Sequence, residues 1–375
     1  VGKDYSLGGI TLLCKFDGQR VTMASQIAGA DETVSSLYSV KSEQATMLSF
    51  DTYNYLVHYF GQPQGSMADD PNGTLGGDYE FVISDATADR IELKGKKYGN
   101  RIVMKAFSAD QTWKQYLTRI KKVEDDAFFY EYDLRMDGLY TGQMLRSNYT
   151  FIVTYYDEVG KVHQKTVPFM FTTDGMRFHE PVTIDGQTMQ NFVWKNEEIS
   201  FVCTDEGATE VKLAGVYTAG YQSYDYYPGT YQMDFYRLND ATNQMEVASQ
   251  EIQLVKDEDG KSYWLKGLEY DILVTYDKPR GGLSILPQFL KKVQGGYVYL
   301  AMWDLMNDYV LRSSAIGLIS YPTTDGIYLV DNGVWMGEIS GFIFGVYDSQ
   351  DEEASFMGYT DAVAAIRLIK KTIEE

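Results

Sequence analysis

Cysteine, histidine and proline are scarce in this chain: the 375 residues include two cysteines, three histidines and eight prolines. Two cysteines cannot build the disulfide framework that holds many small secreted domains together. A histidine metal site needs several imidazoles to converge, so we expect His58, His163 and His179 to be ordinary strand or turn residues. The sequence therefore predicts no metal and no cofactor.

Positive charge is also in short supply. The chain carries 33 basic against 53 acidic residues, a formal net charge of −20. Such a charge repels phosphate backbones and anionic lipid headgroups, so we expect no nucleic-acid binding. No apolar run reaches the roughly 18 residues of a membrane-spanning helix. The sequence begins at Val1, and we expect a processed or truncated N-terminus with any export signal upstream.

The signatures of the common enzyme classes are missing as well. The sequence contains no G-x-S-x-G, H-E-x-x-H, Walker, G-x-G-x-x-G or C-x-x-C motif, and we predict that the protein is not an enzyme. Two carboxylates at the separation that glycoside hydrolysis requires would escape this test, so a glycan-degrading enzyme stays an alternative. The loop 68–80 is rich in oxygen ligands but lacks the EF-hand pattern of a calcium site.

Alternation of polar and apolar residues is the strongest positive signal. From 45 to 107 the sequence consists almost entirely of short runs with a side-chain period of two. Eight Asp-Gly or Asn-Gly pairs occur along the whole chain, and such pairs favour the positive φ angles of tight hairpin turns. Short alternating runs separated by hairpin turns predict an all-β, antiparallel meander.

The length favours two domains, because 375 residues exceed what one small core organises. We predict an N-terminal β-meander domain over 1–213, a linker rich in Tyr and Gly over 214–229, and a C-terminal antiparallel domain over 230–375. Each is a lipocalin-like barrel or a sandwich, and the sequence leaves barrel closure open. One amphipathic helix is predicted near 109–124, and 361–371 fits either a helix or a strand.

Local patterns refine this prediction. Ser108 followed by Gln111 fits a capping box at the start of the predicted helix. The stretches 55–60 and 198–203 are predicted as strands. Cys14 and Cys203 fall on the apolar faces of two strands, and we expect them to be buried as small hydrophobic residues, although a disulfide between them stays open.

Aromatic residues are abundant, with 31 tyrosines. Tyr221, Tyr224, Tyr226 and Tyr227 crowd the predicted linker, where exposed rings would stack on sugar rings or peptides. These four are the predicted binding residues, with a role in joining the two domains as the alternative. Trp264, Trp303 and Trp335 lie within apolar strands and are expected in the core.

Four segments carry a resemblance to a known family: 12–25, 40–60, 76–104 and 171–194. In their order and residue sequence they resemble a family of surface lipoproteins of Bacteroidetes-type bacteria, classed as a domain of unknown function. The resemblance implies export, a lipid anchor on a cysteine upstream of Val1, and a place on the outer membrane at the cell surface. It also implies genes beside SusC/SusD-type nutrient-uptake systems, and it supplies no catalytic residues.

These observations favour a non-enzymatic, surface-anchored accessory protein that binds a glycan or a peptide beside an uptake system, with SusC/SusD-like proteins as partners. Two alternatives stay open. One is a structural or interaction module of an outer-membrane complex, and the other is a lipocalin-like carrier with an apolar ligand inside a closed barrel.

Overall fold

The fold is all-β, as the alternation predicts. The computed structural model describes residues 5–42, 45–62, 75–157, 159–239, 241–242, 244–351 and 353–371. The first seven residues of the oxygen-rich loop, 68–74, lie outside these ranges. Contacts divide the chain into two compact units, Val1–Val216 and Tyr217–Glu375.

Unit 1 opens with a seven-stranded antiparallel sheet in which neighbours in sequence are neighbours in space. Its strands are β1 (Leu12–Asp17), β2 (Arg20–Ser25), β3 (Val34–Ser42), β4 (Thr46–Phe50), β5 (Glu80–Ala86), β6 (Arg90–Gly95) and β7 (Arg101–Lys105). One face is buried around Val21, Leu48 and Phe81, and the opposite face is largely exposed. This arrangement is the predicted meander with one buried face.

The second half of unit 1 is a closed barrel of eight strands, here called barrel 1. Its strands are β8 (Glu131–Met136), β9 (Leu139–Ser147), β10 (Thr150–Tyr156), β11 (Val162–Phe171), β12 (Gly175–Ile184), β13 (Gln187–Lys195), β14 (Ser200–Cys203) and β15 (Lys212–Val216). The ring closes where β15 pairs with β8, with Leu213 opposite Leu134. Closure removes the exposed strand edges that an open sheet would present.

A helix connects the sheet of unit 1 with barrel 1. This helix, α2 (Trp113–Asp126), packs Leu117 against Leu13 and Ala24 of the sheet and places Ile120 and Val123 in the barrel core. The predicted helix is therefore present, but its predicted cap is wrong. Thr112 and Gln115 form the capping box, each four residues after the predicted Ser108 and Gln111, because the helix begins only at Trp113.

The predicted strand over 55–60 is wrong. A short helix, α1 (Tyr55–His58), and a 3-10 turn (Tyr59–Gly61) replace it. The Asn54 side chain accepts a hydrogen bond from the backbone N–H of Leu56 at 3.1 Å and so caps the first turn. Similarly, Asn196–Glu198 is a 3-10 turn, and the strand predicted from 198 begins only at Ser200.

Unit 2 contains a second closed ring of eight strands, barrel 2, and a flanking sheet. Its strands are β16 (Gly229–Asn239), β17 (Gln244–Lys256), β18 (Ser262–Lys266), β19 (Ile272–Asp277), β20 (Gly282–Ile285), β21 (Gln288–Val293), β22 (Gly296–Asp304), β23 (Tyr309–Leu311), β24 (Leu318–Thr323), β25 (Gly326–Asp331), β26 (Gly341–Tyr347) and β27 (Phe356–Lys370). The ring runs β16-β17-β18-β19-β20-β24-β25-β27 and closes where β27 pairs with β16.

Strand β27 belongs to both parts of unit 2. Its first half pairs with β26 of the flanking sheet, and its last residues pair with β16 and β25 of barrel 2. The C-terminal segment left open by the sequence is thus a strand. Val298 and Phe342 of the flanking sheet share one core with Tyr231 and Phe235 of barrel 2. The sheet and barrel 2 are therefore packed into one body.

The segment predicted as a linker has two structural parts. Residues 214–216 form the end of β15 in barrel 1, and Tyr227 lies in the core of unit 2. Both cysteines are unpaired; Cys203 is buried and Cys14 is half-buried. Burial raises the pKa of the Cys203 thiol to about 11, so this side chain is a neutral packing group at physiological pH.

The closure of barrel 2 predicts a pH dependence. The Arg367 guanidinium bridges Asp234 at 2.9 Å and Asp325 at 3.0 Å. Hydrogen bonds from Gln232 and Arg367 lower the pKa of Asp234, so its contribution is present above the unfolded-state pKa and is lost as pH falls through the folded-state pKa. We expect Asp234→Asn to lower the urea midpoint of unit 2 at neutral pH and to flatten its fall on acidification. An equally steep fall of the urea midpoint with pH in the wild type and in Asp234→Asn would contradict this expectation.

Candidate functional site

The four predicted binding tyrosines lie together on unit 2, and their phenol groups are engaged with the protein itself. Tyr227 is fully buried and donates its hydroxyl to the carbonyl of Gly281 at 2.8 Å. Tyr224 donates to the carbonyl of Ser262 at 2.8 Å. Burial raises the pKa of both phenols, which keeps them protonated donors at neutral pH.

Three barrel tyrosines complete this group. Tyr231, Tyr263 and Tyr276 donate their hydroxyls to the carbonyls of Tyr227, Tyr224 and Gln222 at 2.7, 2.6 and 2.8 Å. We call Tyr221, Tyr224, Tyr226, Tyr227, Tyr231, Tyr263 and Tyr276 the tyrosine cluster. Its hydrogen bonds tie the segment before β16 to barrel 2.

Only the rim of the tyrosine cluster faces solvent. Tyr226 is 38% exposed and has the Lys370 ammonium 5.0 Å from its ring centre. Tyr221 is half-buried, and its hydroxyl oxygen lies 3.2 Å from that of Tyr276. The structure brings all four predicted residues together, but it leaves little free ring surface and few free hydroxyls for a ligand.

A second aromatic surface, which the sequence pattern does not reveal, lies on the flanking sheet of unit 2. It consists of Phe289, Tyr297, Tyr299, Tyr347 and Phe356, here called the aromatic strip. Consecutive ring centres are 5.4 Å apart from Phe289 to Tyr299, 5.7 Å from Tyr299 to Tyr347 and 5.5 Å from Tyr347 to Phe356. The register pairs Tyr297 with Tyr347 and Phe289 with Tyr299, which places these rings on one face.

Strand alternation positions the strip. Val298 and Leu300 point into the core of unit 2, so Tyr297 and Tyr299 take the outer face of β22. Opposite Tyr299 on β26 stands Gly345, where a Cβ would come within 2.9 Å of the Tyr347 ring and 3.1 Å of the Phe356 ring. The absence of a side chain at this glycine lets both rings lie over the sheet.

The strip combines exposed end rings with cations. Phe289 and Phe356 at its two ends are each 44% exposed, whereas Tyr297 and Tyr299 are half-buried and Tyr347 is buried. The Arg312 guanidinium lies 4.2 Å from the Tyr347 ring centre and 4.8 Å from that of Tyr299, and Lys292 lies 5.3 Å from that of Tyr297. These distances are typical of cation–π interactions. The two cations therefore place N–H donors beside an apolar ring surface.

The tryptophans only partly follow the expectation that they lie in the core. Trp303 is buried, whereas Trp264 and Trp335 are half-buried. Their indole N–H groups donate to Asp257 at 3.1 Å and to Asp304 at 3.0 Å. A partly buried indole with a carboxylate partner is a structural element that orders its loop.

Barrel 1 is filled by its own side chains. Tyr132, Phe151 and Phe201 are fully buried inside it, and Phe151 stacks on Phe169 with ring centres 4.4 Å apart. The carrier hypothesis requires an apolar cavity in place of this packing. Within the described ranges, no three His, Cys, Asp or Glu side chains are grouped so that they could hold a metal ion.

Comparison with known proteins gives two matches to family models. A domain of unknown function (DUF4302) matches residues 1–196, and a second domain of unknown function (DUF4987) matches residues 204–343. No curated protein and no solved structure matches the chain. In the part of the chain that the structure describes, no helix is long and apolar enough to cross a membrane.

Proposed function

Because the chain belongs to the DUF4302 family of domains of unknown function, we propose its role from its own surfaces: a non-enzymatic accessory protein that binds a glycan on the aromatic strip. The observation that carries this proposal is the row of rings from Phe289 to Phe356 on one sheet face. Apolar ring surface that stays exposed to water does not stabilise the fold. Such a patch therefore indicates a ligand-binding site.

The chemistry of the strip suits a sugar. The C–H faces of a pyranose ring are apolar and pack on aromatic rings, while its hydroxyls need donors and acceptors close by. Arg312, which also donates to the carbonyl of Asp351 at 2.6 Å, and the hydroxyls of the half-buried Tyr297 and Tyr299 are the polar groups of the strip. A net charge of −20 disfavours polyanionic glycans, so we propose a neutral glycan as the ligand.

The cellular setting is proposed on the sequence resemblance alone. We place the protein on the outer face of the outer membrane, held by a lipid on a cysteine upstream of Val1, beside SusC/SusD-like partners. Protease added to intact cells that make the full-length protein should then digest it while a periplasmic marker survives. Protection equal to that of the marker would contradict the surface location.

Glycan binding is tested by calorimetric titration with neutral soluble polysaccharides, namely a β-glucan, an α-glucan, a mannan and a xylan. We expect one of them to bind and Phe289→Ala/Phe356→Ala to weaken that binding by at least about tenfold, because each stacked ring contributes roughly 0.5–1.5 kcal/mol beyond its buried area. Tyr236→Ala/Tyr321→Ala removes two exposed rings elsewhere on unit 2 and is the matched control. Equal weakening in the control would sink the assignment to the strip.

A peptide ligand is the second candidate, and one observation favours it. Among the described strands, β21 pairs only with β22 and so offers a free edge beside the strip. An extended peptide adds to such an edge through main-chain hydrogen bonds. Lys291 and Lys292 occupy this edge, and edge lysines oppose strand addition. We therefore rank the peptide below the glycan.

A further inference from the structure

A second group of exposed apolar side chains on unit 2 is separate from the aromatic strip and takes no part in the proposed glycan site. It is formed by two turns, 304–309 between β22 and β23 and 332–338 between β25 and β26, here called the apolar knob. Met306 is 82% exposed and Met336 is 94% exposed, and Val334 and Tyr309 are each more than half exposed. Four large apolar side chains exposed on two turns that adjoin through Trp335 call for an explanation.

The knob is held in shape by buried polar contacts. Asp304 is fully buried; its carboxylate accepts hydrogen bonds from the backbone N–H and the side-chain amide of Asn307 at 3.1 and 2.9 Å, and from the Trp335 indole at 3.0 Å. This carboxylate joins the two turns. The Tyr309 ring packs edge-on against the Trp335 ring with centres 5.6 Å apart. The exposed methionines are therefore presented by an ordered scaffold.

A second anchor fixes the longer turn. The Asp331 carboxylate accepts the backbone N–H of Gly333 at 2.9 Å and that of Ile339 at 3.0 Å, bracketing the turn at both ends. At Gly337 a Cβ would lie 2.2 Å from the Asp304 carboxylate and 2.7 Å from the Trp335 indole nitrogen. The turn is therefore closely packed at Gly337 and fixed at both ends, while its apolar side chains Val334 and Met336 face solvent.

We propose that the apolar knob inserts into the interfacial layer of a lipid bilayer and sets the orientation of unit 2 on that surface. Side-chain area favours lipid over protein as the occupant. The knob has only four exposed apolar side chains, and even the largest apolar patch of a typical monomer covers roughly 300–600 Å², whereas a stable protein interface needs about 800 Å² from each partner. A shallow insertion that buries one apolar tip has no such minimum.

The residue types of the knob agree with a shallow insertion. The most exposed side chains are methionines, which fill irregular apolar surroundings readily. Tyr309 and the half-buried Trp335 follow, and rings with a polar edge settle at the level of lipid headgroups. Neither turn contains Lys or Arg, and Asp308 and Glu338 are exposed beside the apolar tip. The preferred surface is consequently zwitterionic rather than anionic.

The test is co-sedimentation of the full chain with phosphatidylcholine vesicles, and in parallel with vesicles that also contain phosphatidylglycerol. We expect binding to phosphatidylcholine, weaker binding to the anionic vesicles at low salt, and a loss of at least about tenfold for Met306→Ser/Val334→Ser/Met336→Ser. Val159→Ser/Val247→Ser, which removes two exposed valines outside the knob, should bind as the wild type does.

Brominated phosphatidylcholine provides a second readout, because it should quench the tryptophan fluorescence of the wild type and not that of the triple variant. No binding at millimolar lipid, or binding that the triple variant keeps, overturns the proposal. A concentration-dependent dimer that the triple variant abolishes, without vesicle binding, would identify a second copy as the occupant instead. The Phe289→Ala/Phe356→Ala variant should still bind vesicles, so failure of the glycan proposal is distinguishable from failure of this one.

Discussion

Replacing Asp78 by alanine is expected to destabilise the first sheet of unit 1 by about 3 kcal/mol, because each buried donor left without a partner costs roughly 1–3 kcal/mol. One oxygen of this buried carboxylate accepts the backbone N–H groups of Lys97 and Tyr98 at 2.8 and 3.0 Å. The other accepts the backbone and side-chain N–H groups of Asn100 at 3.1 and 2.7 Å. A single side chain thus satisfies the turn between β6 and β7.

The measurement is urea unfolding of the full chain combined with hydrogen exchange of peptides from β5, β6 and β7. Asp85→Ala is the matched control, since Asp85 lies on β5 and is exposed. We expect Asp78→Asn to fall between the wild type and the alanine variant, because an amide keeps one acceptor oxygen and presents an N–H₂ group to the Asn100 donors. A loss for Asp78→Ala no larger than that for Asp85→Ala would show that the turn is satisfied in another way.

Replacing Tyr227 by alanine should destabilise unit 2 by about 3–5 kcal/mol, the cost that removal of a fully buried aromatic side chain usually carries. Tyr227→Phe keeps the ring but leaves the carbonyl of Gly281 without its donor, so its expected cost is about 1 kcal/mol. Tyr226→Ala, next in the chain and partly exposed, should cost less than either. This order of effects is what a structural tyrosine cluster requires.

Thermal unfolding of the full chain, together with hydrogen exchange of peptides from β16, β18 and β19, measures these differences. If the cluster instead serves ligand binding, Tyr227→Ala would leave stability nearly unchanged and reduce binding of the same neutral polysaccharides. A stable Tyr227→Ala protein would therefore return the site to the residues that the sequence predicts.

Local alternation and turn chemistry identify most of the fold. The period of two in β22 is by itself enough to put Tyr297 and Tyr299 on one face of a strand. Phe289 lies on the preceding hairpin strand, but sequence cannot show that Phe356 joins these rings, because β27 is far from β22 in the chain and reaches it through β26 by tertiary register. For that reason the strip is recognisable only in three dimensions.

In short segments, a clear local sequence pattern can also indicate the wrong structure or role. Residues 55–60 alternate well enough to suggest a strand, yet the Asn54 cap and the burial of Leu56 and Val57 produce a helical turn. The four linker tyrosines are conspicuous in sequence, but the hydroxyls of Tyr224 and Tyr227 donate to the carbonyls of Ser262 and Gly281, which are 38 and 54 residues away. A structural role for these rings cannot be distinguished from a binding role without those partners.

Calorimetric titration of the neutral glycan panel into three proteins tests the central claim most directly, namely that unit 2 binds through the aromatic strip and not through the tyrosine cluster. The proteins are the wild type, Phe289→Ala/Phe356→Ala and Tyr226→Ala. We predict that a glycan binds the wild type and Tyr226→Ala equally and binds the strip variant at least about tenfold more weakly. Unchanged affinity in the strip variant, or no binding of any glycan to the wild type, would contradict the account.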